Sequence, residues 1–441
     1  CAVSTQKQKR PFALRALAAF AGTLAILFVL LLAAYALPGE RVRQHVYDSA
    51  RTIQNEGLYP EYLGFKLFQM DNYTDTLMLF EAASADELPP LQAMMTNTAY
   101  NVDNFETLAD DLAWYIEKDW STGAQRTDAP VLEPFSYARY WHGYLIWLRP
   151  LLLLMPYTGV RIVQYIVLFA LLAVVLVQLR RRCGLRAAVW FAVSQLAVSV
   201  WFVPHQVQYF TCFMIAYAGC AWVLAKPRRS DVLCLGLLVL GTATAFCDLL
   251  VTPIITLGLP LTCWLLEPQQ RLRGGVPQCA LAVGGSLCWG TGYALCWAGK
   301  WALAGAVTNN NVLADALHQA EVRTTADTWH GMELTWRNIF IFLYDTLNSH
   351  HLFWPALAVL AVLIALFILS IRSKTALVRA LPLALTTCMT PAWFVLLRTH
   401  SIQHGWFTWR ALGLTVFAGL AFLYYACDLR AARRRLQKGS I

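Results

Sequence analysis

Ten apolar segments punctuate the chain, and clusters of Lys and Arg fall only on alternate connections between them. Lys7, Lys9 and Arg10 precede the first segment, Arg180, Arg181, Arg182 and Arg186 follow the second, and Lys226, Arg228 and Arg229 follow the fourth. Arg271 and Arg273 follow the sixth, Arg372 and Lys374 the eighth, and Arg430, Arg433, Arg434, Arg435 and Lys438 the tenth. Positive charge is retained on the cytoplasmic side of a membrane, so the alternation predicts that these loops and both termini are cytoplasmic. Position 118 (Lys118) and His404 should then lie outside, and Arg181 and Arg434 inside. The segments run over 13–37, 161–179, 185–203, 208–225, 231–247, 251–266, 277–298, 352–371, 377–397 and 407–427. Each is near the roughly 20 residues that cross a hydrocarbon core. At 58% hydrophobic and 14% charged residues, the chain is too apolar for a water-soluble domain of its size. The expected fold is therefore an all-α polytopic protein of a cell (inner or plasma) membrane. A cleavable signal peptide is not expected, because the first apolar run is long and no small-residue cleavage site clearly ends it.

This topology divides the chain into a cytoplasmic start and first helix (1–37), an outer segment (38–160), six helices (161–298), a second outer segment (299–351) and three last helices with a basic tail (352–441). All long connections fall on the outer face, so chemistry is expected there. The first outer segment carries 17 Asp and Glu against 8 Lys and Arg, although the whole chain is +9. The basic excess thus follows orientation and anionic inner-leaflet lipid, and nucleic acid is not an expected partner. All 12 cysteines fall in apolar spans or at cytoplasmic ends, which excludes a disulfide-stapled outer domain. Cys212, Cys220 and Cys288 read as small apolar side chains.

Aromatic and aliphatic residues recur at helical intervals in the first outer segment, at Leu77, Leu79 and Phe80 and again at Leu108, Leu112, Trp114, Tyr115 and Ile116. Short helices lying on the membrane surface follow from that spacing. Tyr137 to Arg149 is rich in aromatics, and Pro150 and Pro156 break the apolar run after it, so it reads as an interfacial helix and not an eleventh crossing. No internal repeat and no low-complexity segment are evident.

Several polar groups sit where chemistry could occur. Asp71 and Asp75, four residues apart, would share a helical face and could bind a divalent metal (Mg or Mn) or act as a base. The bland reading is a solvated acidic pair whose exchange leaves folding unchanged; Asn72-Tyr73-Thr74 between them is also a glycosylation sequon. Arg398, His400, His404 and Arg410 crowd a short outer loop that the positive-inside bias would keep free of cations. Such a cluster suits a phosphate at the membrane surface, against the alternative of Arg snorkelling at helix ends. A zinc site from the two His is disfavoured, since no third ligand is near. Asp248 lies between apolar neighbours at membrane depth, where a carboxylate is costly. His205 and Gln206 end the third span, His205 reading as a hydrogen-bonded interfacial His, and Lys300 and Trp301 end the seventh. Arg139, Tyr140 and His142 complete the set.

One opening span, a long outer segment with carboxylates, many crossings and a late second outer segment together resemble the C-type glycosyltransferase (GT-C) superfamily, integral-membrane enzymes that take a sugar from a polyprenyl-phosphate donor. The resemblance covers most of the chain as topology. It implies transfer to a glycan or other envelope acceptor on the outer face, with Asp71, Asp75 or Asp248 as base or Asp71 and Asp75 as metal ligands. It further implies that Arg398, His400, His404, Arg410, Lys300, Arg139 and His142 serve the lipid phosphate. The chain departs from that pattern in lacking an acidic pair just after the first span, where only Glu40 lies, and a large soluble domain after the last. Tyr137 to Arg149 and Arg398 to Arg410 are also similar to segments of multi-span bacterial membrane proteins. The competing expectations are a transporter or flippase for a lipid-linked or anionic solute, which would need charges along a path through the bilayer, and a non-catalytic membrane scaffold.

Overall fold

The computed structural model describes residues 11–85, 87–101, 133–273, 275–325, 328–329 and 332–428. Lys7, Lys9, Arg10, the basic tail from Arg430, the run Leu108 to Ile116 and Lys118 lie outside these residues. In lipid each backbone N–H and C=O must be satisfied within the protein, and every long apolar run here is accordingly helical.

The chain opens with α1 (Phe12–Tyr35), α2 (Glu40–Glu56), α3 (Asn72–Ser84) and α4 (Pro90–Thr96). A short antiparallel pair, β1 (Thr98–Asn101) and β2 (Glu133–Ser136), then leads to α5 (Leu145–Leu152). Next come α6 (Tyr157–Cys183), α7 (Leu185–Ala197), α8 (Val207–Ala225), α9 (Ser230–Cys247), α10 (Ile254–Leu265) and α11 (Gly275–Thr308). After α12 (Val312–Thr325), the pair β3 (Thr328–Trp329) and β4 (Met332–Glu333), and α13 (Ile341–Ser349), the chain re-enters the bundle. It finishes with α14 (Phe353–Ser370), α15 (Lys374–Leu396), α16 (Arg398–Gln403) and α17 (Gly405–Ala426).

Among the described residues, eight helices are long and apolar enough to cross a membrane, namely α1, α6, α8, α9, α11, α14, α15 and α17. The protein is thus an all-α, membrane-embedded chain. The two remaining apolar segments are shorter helices, α7 and α10. The expected third span, 185–203, ends early as an α-helix at Ala197, because Ser199 takes a left-handed φ of 56° and Val200–His205 tightens into a 3-10 turn. Every residue of α10 is buried, and α8, α9, α11, α15 and α17 pack around it. α9 and α11 meet closely. A Cβ on Gly241 would lie 2.1 Å from the carbonyl oxygen of Trp289, and one on Gly292 2.2 Å from that of Leu238, so backbones meet through small residues as they do within membranes. By contrast, α14 is exposed along nearly its whole length and presents its apolar surface outward.

The helix ends sort into two layers. At one end Arg15 pairs with Asp231 at 2.8 Å, Arg182 with Glu267 at 2.7 Å, and Ile371 bridges Cys427. The other end carries α2 to α5, the loop Asp248 to Pro253, α12 and α16. The described basic connections therefore gather on one end and the long acidic segment on the other.

The region 137–149 differs from its expected form. Residues 137–144 are non-helical, with His142 at a left-handed φ of 55°, and the helix starts at Leu145. Leu145, Leu148, Arg149 and Leu152 are buried against α1 and α2, so α5 belongs to the core and not to an interface. Arg149 donates to the carbonyls of Tyr35 (3.3 Å) and Leu37 (3.0 Å), closing the C-terminal end of α1. Neither α2 nor the β1–β2 pair was legible beforehand. Every described cysteine is a free thiol, with Cys212 and Cys220 buried and Cys288 only partly so.

Candidate functional site

Asp71 begins α3 because its carboxylate satisfies the first turn, accepting from the Thr74 amide at 2.9 Å and the Thr74 hydroxyl at 2.6 Å. Its own amide donates to Gln206 Oε1 at 2.7 Å. Asp75, one turn on, serves a different helix: it accepts from the amides of Val207 (3.1 Å) and Gln208 (3.4 Å), the orphan donors that open α8, and from the Tyr157 hydroxyl. Both carboxylates are buried. Burial raises the Asp71 carboxyl above the usual range and the Asp75 carboxyl well above it, against the hydrogen bonds just named. The pair is thus a fold element and not a solvated patch, and removing the Asp75 carboxylate is not neutral for folding. It also fits a metal poorly, because N–H and O–H donors already face the oxygens a cation would need. Among the described residues no three His, Cys, Asp or Glu side chains converge as ligands.

Arg410 reaches the same place. Its guanidinium lies 4.5 Å from the centroid of Tyr209 on α8 and 5.3 Å from that of Trp409, and it donates to the Leu67 carbonyl at 3.2 Å. Tyr209 is within electrostatic reach of Asp71, Asp75 and Arg410 together. The fold therefore does bring the acidic pair and Arg410 to one helix start, but turned onto protein atoms. Lys300 is spent likewise: its ammonium donates to the carbonyls of Met94 (2.7 Å) and Met95 (3.3 Å) and to Asn97 Oδ1 (2.6 Å), capping α4. His142 is buried 2.6 Å from a Glu81 oxygen, and the Tyr144 hydroxyl donates to that same carboxylate. His205 bonds the Tyr165 hydroxyl through Nδ1 at 2.6 Å and is thus hydrogen-bonded, as expected.

A cavity of about 590 Å³ opens beside the second cluster, between residues 139–140, the end of α11, α12 and the end of α15. One face of α11 places an aromatic every fourth residue, at Trp289, Tyr293, Trp297 and Trp301, with successive centroids 4.8, 4.9 and 6.0 Å apart. The last three line the cavity with Tyr140 and Trp393. Arg139 and Arg323 supply its charge. Arg139 stacks at 4.5 Å on Tyr137 and pairs with Asp315 at 3.2 Å, while Arg323 donates to the Tyr140 hydroxyl. Behind Arg323, α16 brings His400 and His404 to 4.7 Å between centroids, and His400 Nε2 bonds the Leu250 carbonyl at 2.9 Å. Burial first and the Arg323 charge next lower His404 to about 4, and burial lowers His400 well below its usual range. Both rings are neutral near pH 7 and add no positive charge for an anion. Arg398 opens α16, half-buried.

Asp248 lies one residue past α9, buried, with Oδ2 accepting from the Val251 amide at 3.1 Å. Its Oδ1 is buried and makes no well-aligned hydrogen bond among the described residues, although the Cys212 thiol and the Leu249 and Leu250 amides lie close to the carboxylate. Leu250 in the same loop lines the cavity, and Tyr293 on its wall is within electrostatic reach of Asp248.

No known protein family, curated protein or solved structure matches the chain.

Of the residues singled out from sequence, Arg139 and the neighbourhood of Asp248 belong to this cavity; Asp71, Asp75, Lys300, His142 and Arg410 are held by protein partners elsewhere. Arg323 and the α11 ladder were missed. The ladder was visible as aromatics at a strict four-residue interval. Arg323 stood in the second outer segment, where the positive-inside reasoning applied to Arg398 also makes a cation conspicuous.

Proposed function

We propose that the chain is a cell-membrane glycosyltransferase that takes a sugar from a polyprenyl-phosphate donor and transfers it to a glycan or other envelope acceptor at the outer face. The observation that carries this reading is the aromatic-walled cavity whose lining includes two guanidiniums, Arg139 and Arg323. Planar forks suit a phosphate bidentately, and flat aromatic walls suit a sugar ring or an isoprenoid chain. Asp248 is a carboxylate close to this cavity with an oxygen that makes no well-aligned hydrogen bond among the described residues. In this reading it takes the proton of the acceptor hydroxyl, whose oxygen attacks the anomeric carbon. The bond from that carbon to the phosphate oxygen breaks, its electron pair leaves on the lipid phosphate, and Arg139 and Arg323 meet the charge where it develops. A single displacement inverts the anomeric centre.

The test is transfer of radiolabelled sugar from a polyprenyl-phosphate donor to envelope acceptor by the purified protein in nanodiscs. Asp248→Asn should lose about 10²-fold or more in rate at unchanged donor affinity. Full turnover by that variant would remove Asp248 as the base. Movement of the labelled lipid across the bilayer without transfer would instead favour a flippase.

A further inference from the structure

The opposite end of the bundle holds a second cavity, of about 980 Å³, between the turn Pro268–Arg271 and the ends of α11, α15 and α17. Three guanidiniums line it, those of Arg271, Arg372 and Arg379. Two are held in place: Arg271 donates to the Tyr425 hydroxyl at 2.5 Å, and Arg372 to the Cys427 carbonyl. Among the described residues none of the three is in an ion pair, so no described carboxylate lies within ion-pair distance of these three cations. The start of α15 faces the same space, with Ser373 capping the Ala376 amide at 3.1 Å and Thr375 on the wall. A general excess of Arg at a cytoplasmic helix end needs no such concavity, since snorkelling side chains spread outward.

A second observation points to the ligand. Gln278, only 3% exposed, lines this cavity and is oriented by bonds from its Nε2 to the carbonyl (3.0 Å) and Oε1 (3.1 Å) of Gln270. Its own Oε1 is buried and has no donor among the described residues. An amide oxygen needs an N–H or O–H, and the surrounding guanidiniums need an anion. One ligand meets both demands when it carries a phosphate and a hydroxyl on the same small group.

We propose that this cavity binds a hydroxylated phosphate ester of the glycerol-phosphate kind, with the phosphate on Arg271, Arg372 and Arg379 and a hydroxyl on Gln278. The site is independent of the proposed transferase chemistry. Two sources share this chemistry, the headgroup of an anionic phospholipid and a soluble glycerol phosphate. The experiment is native mass spectrometry of the purified full chain titrated with phosphatidylglycerol, phosphatidylmethanol or phosphatidylcholine, with and without glycerol phosphate. Phosphatidylglycerol should bind about tenfold tighter than phosphatidylcholine, and Arg379→Gln should remove about that factor, as expected for one charge-assisted bond. Arg379 is exposed, so this variant should melt like the wild type. Phosphatidylmethanol, an anion without hydroxyls, should bind several-fold more weakly than phosphatidylglycerol. Displacement by glycerol phosphate assigns the soluble source, and resistance to it the lipid. Equal retention of phosphatidylglycerol and phosphatidylcholine, or retention unchanged in folded Arg379→Gln, overturns the proposal; equal retention of the two anions overturns the role of Gln278.

Discussion

The guanidinium of Arg410 lies over the ring of Tyr209, 4.5 Å from its centroid, and ties the start of α17 to the first turns of α8. One arm of its fork donates to the Leu67 carbonyl at 3.2 Å and the other to the Trp406 carbonyl at 3.5 Å, and the residue is 1% exposed. Lys would keep the charge but lose both the planar stacking and the fork. Arg410→Lys should therefore cost about 1–3 kcal/mol of stability, read as a lower melting temperature in nanodiscs, while the folded fraction binds donor like wild type. A variant that melts normally but loses donor would return Arg410 to the phosphate site.

Asp75 and Asp71 should separate cleanly in mutagenesis. Asn is as good an N-cap as Asp, so Asp71→Asn should change stability by a few tenths of a kcal/mol, as cap series lead one to expect. Asp75→Asn is harder, because the new amide group can turn N–H donors toward the Val207 and Gln208 amides. It should cost about 1–3 kcal/mol, and any loss of activity should track that loss of fold. Inactive Asp75→Asn protein with an unchanged melting profile would make this carboxylate a catalytic group.

The neutral His pair sets a pH dependence. His404 titrates near 4 in the folded chain against 6.5 for a free His, so between those values the unfolded chain binds the extra proton. Stability is then complete above pH 6.5 and is lost as pH falls toward 4. The loss is at most about 3.4 kcal/mol at 1.36 kcal/mol per unit, and less because His404 is only partly buried. Melting curves of wild type and His404→Gln from pH 7 to 4 check this: the wild type should fall more steeply. Parallel curves would remove the titration of His404 from the acid response.

Much of the bundle was legible because bilayer crossing imposes both length and apolarity: eight of the ten expected segments coincide with helices to within a few residues, and the seventh, 277–298, is a helix that continues to Thr308, into the segment expected to lie outside. The remaining one, 185–203, depended on a left-handed Ser199, which no hydrophobic pattern reports. The site was less legible. Asp71 and Asp75 carry the right chemistry for a base, but their partners, Gln206, Val207 and Tyr157, lie more than eighty residues away and are joined to them only by folding. Lys300 looked like an outer-face cation until Asn97 and the end of α4 were placed beside it. What decides whether a polar residue serves a ligand or the fold is which other groups reach it, and spacing along one segment does not encode that.

The most direct test of the central claim is the affinity of the purified protein for a polyprenyl-phosphate sugar, measured in nanodiscs for wild type, Arg323→Gln, Arg139→Gln and Arg410→Lys. Arg323→Gln and Arg139→Gln should each weaken binding about tenfold or more, the worth of a charge-assisted bond to phosphate, while folded Arg410→Lys binds as wild type. Undiminished affinity in both Arg323→Gln and Arg139→Gln would contradict the assignment of the aromatic-walled cavity as the donor site, and with it the glycosyltransferase reading.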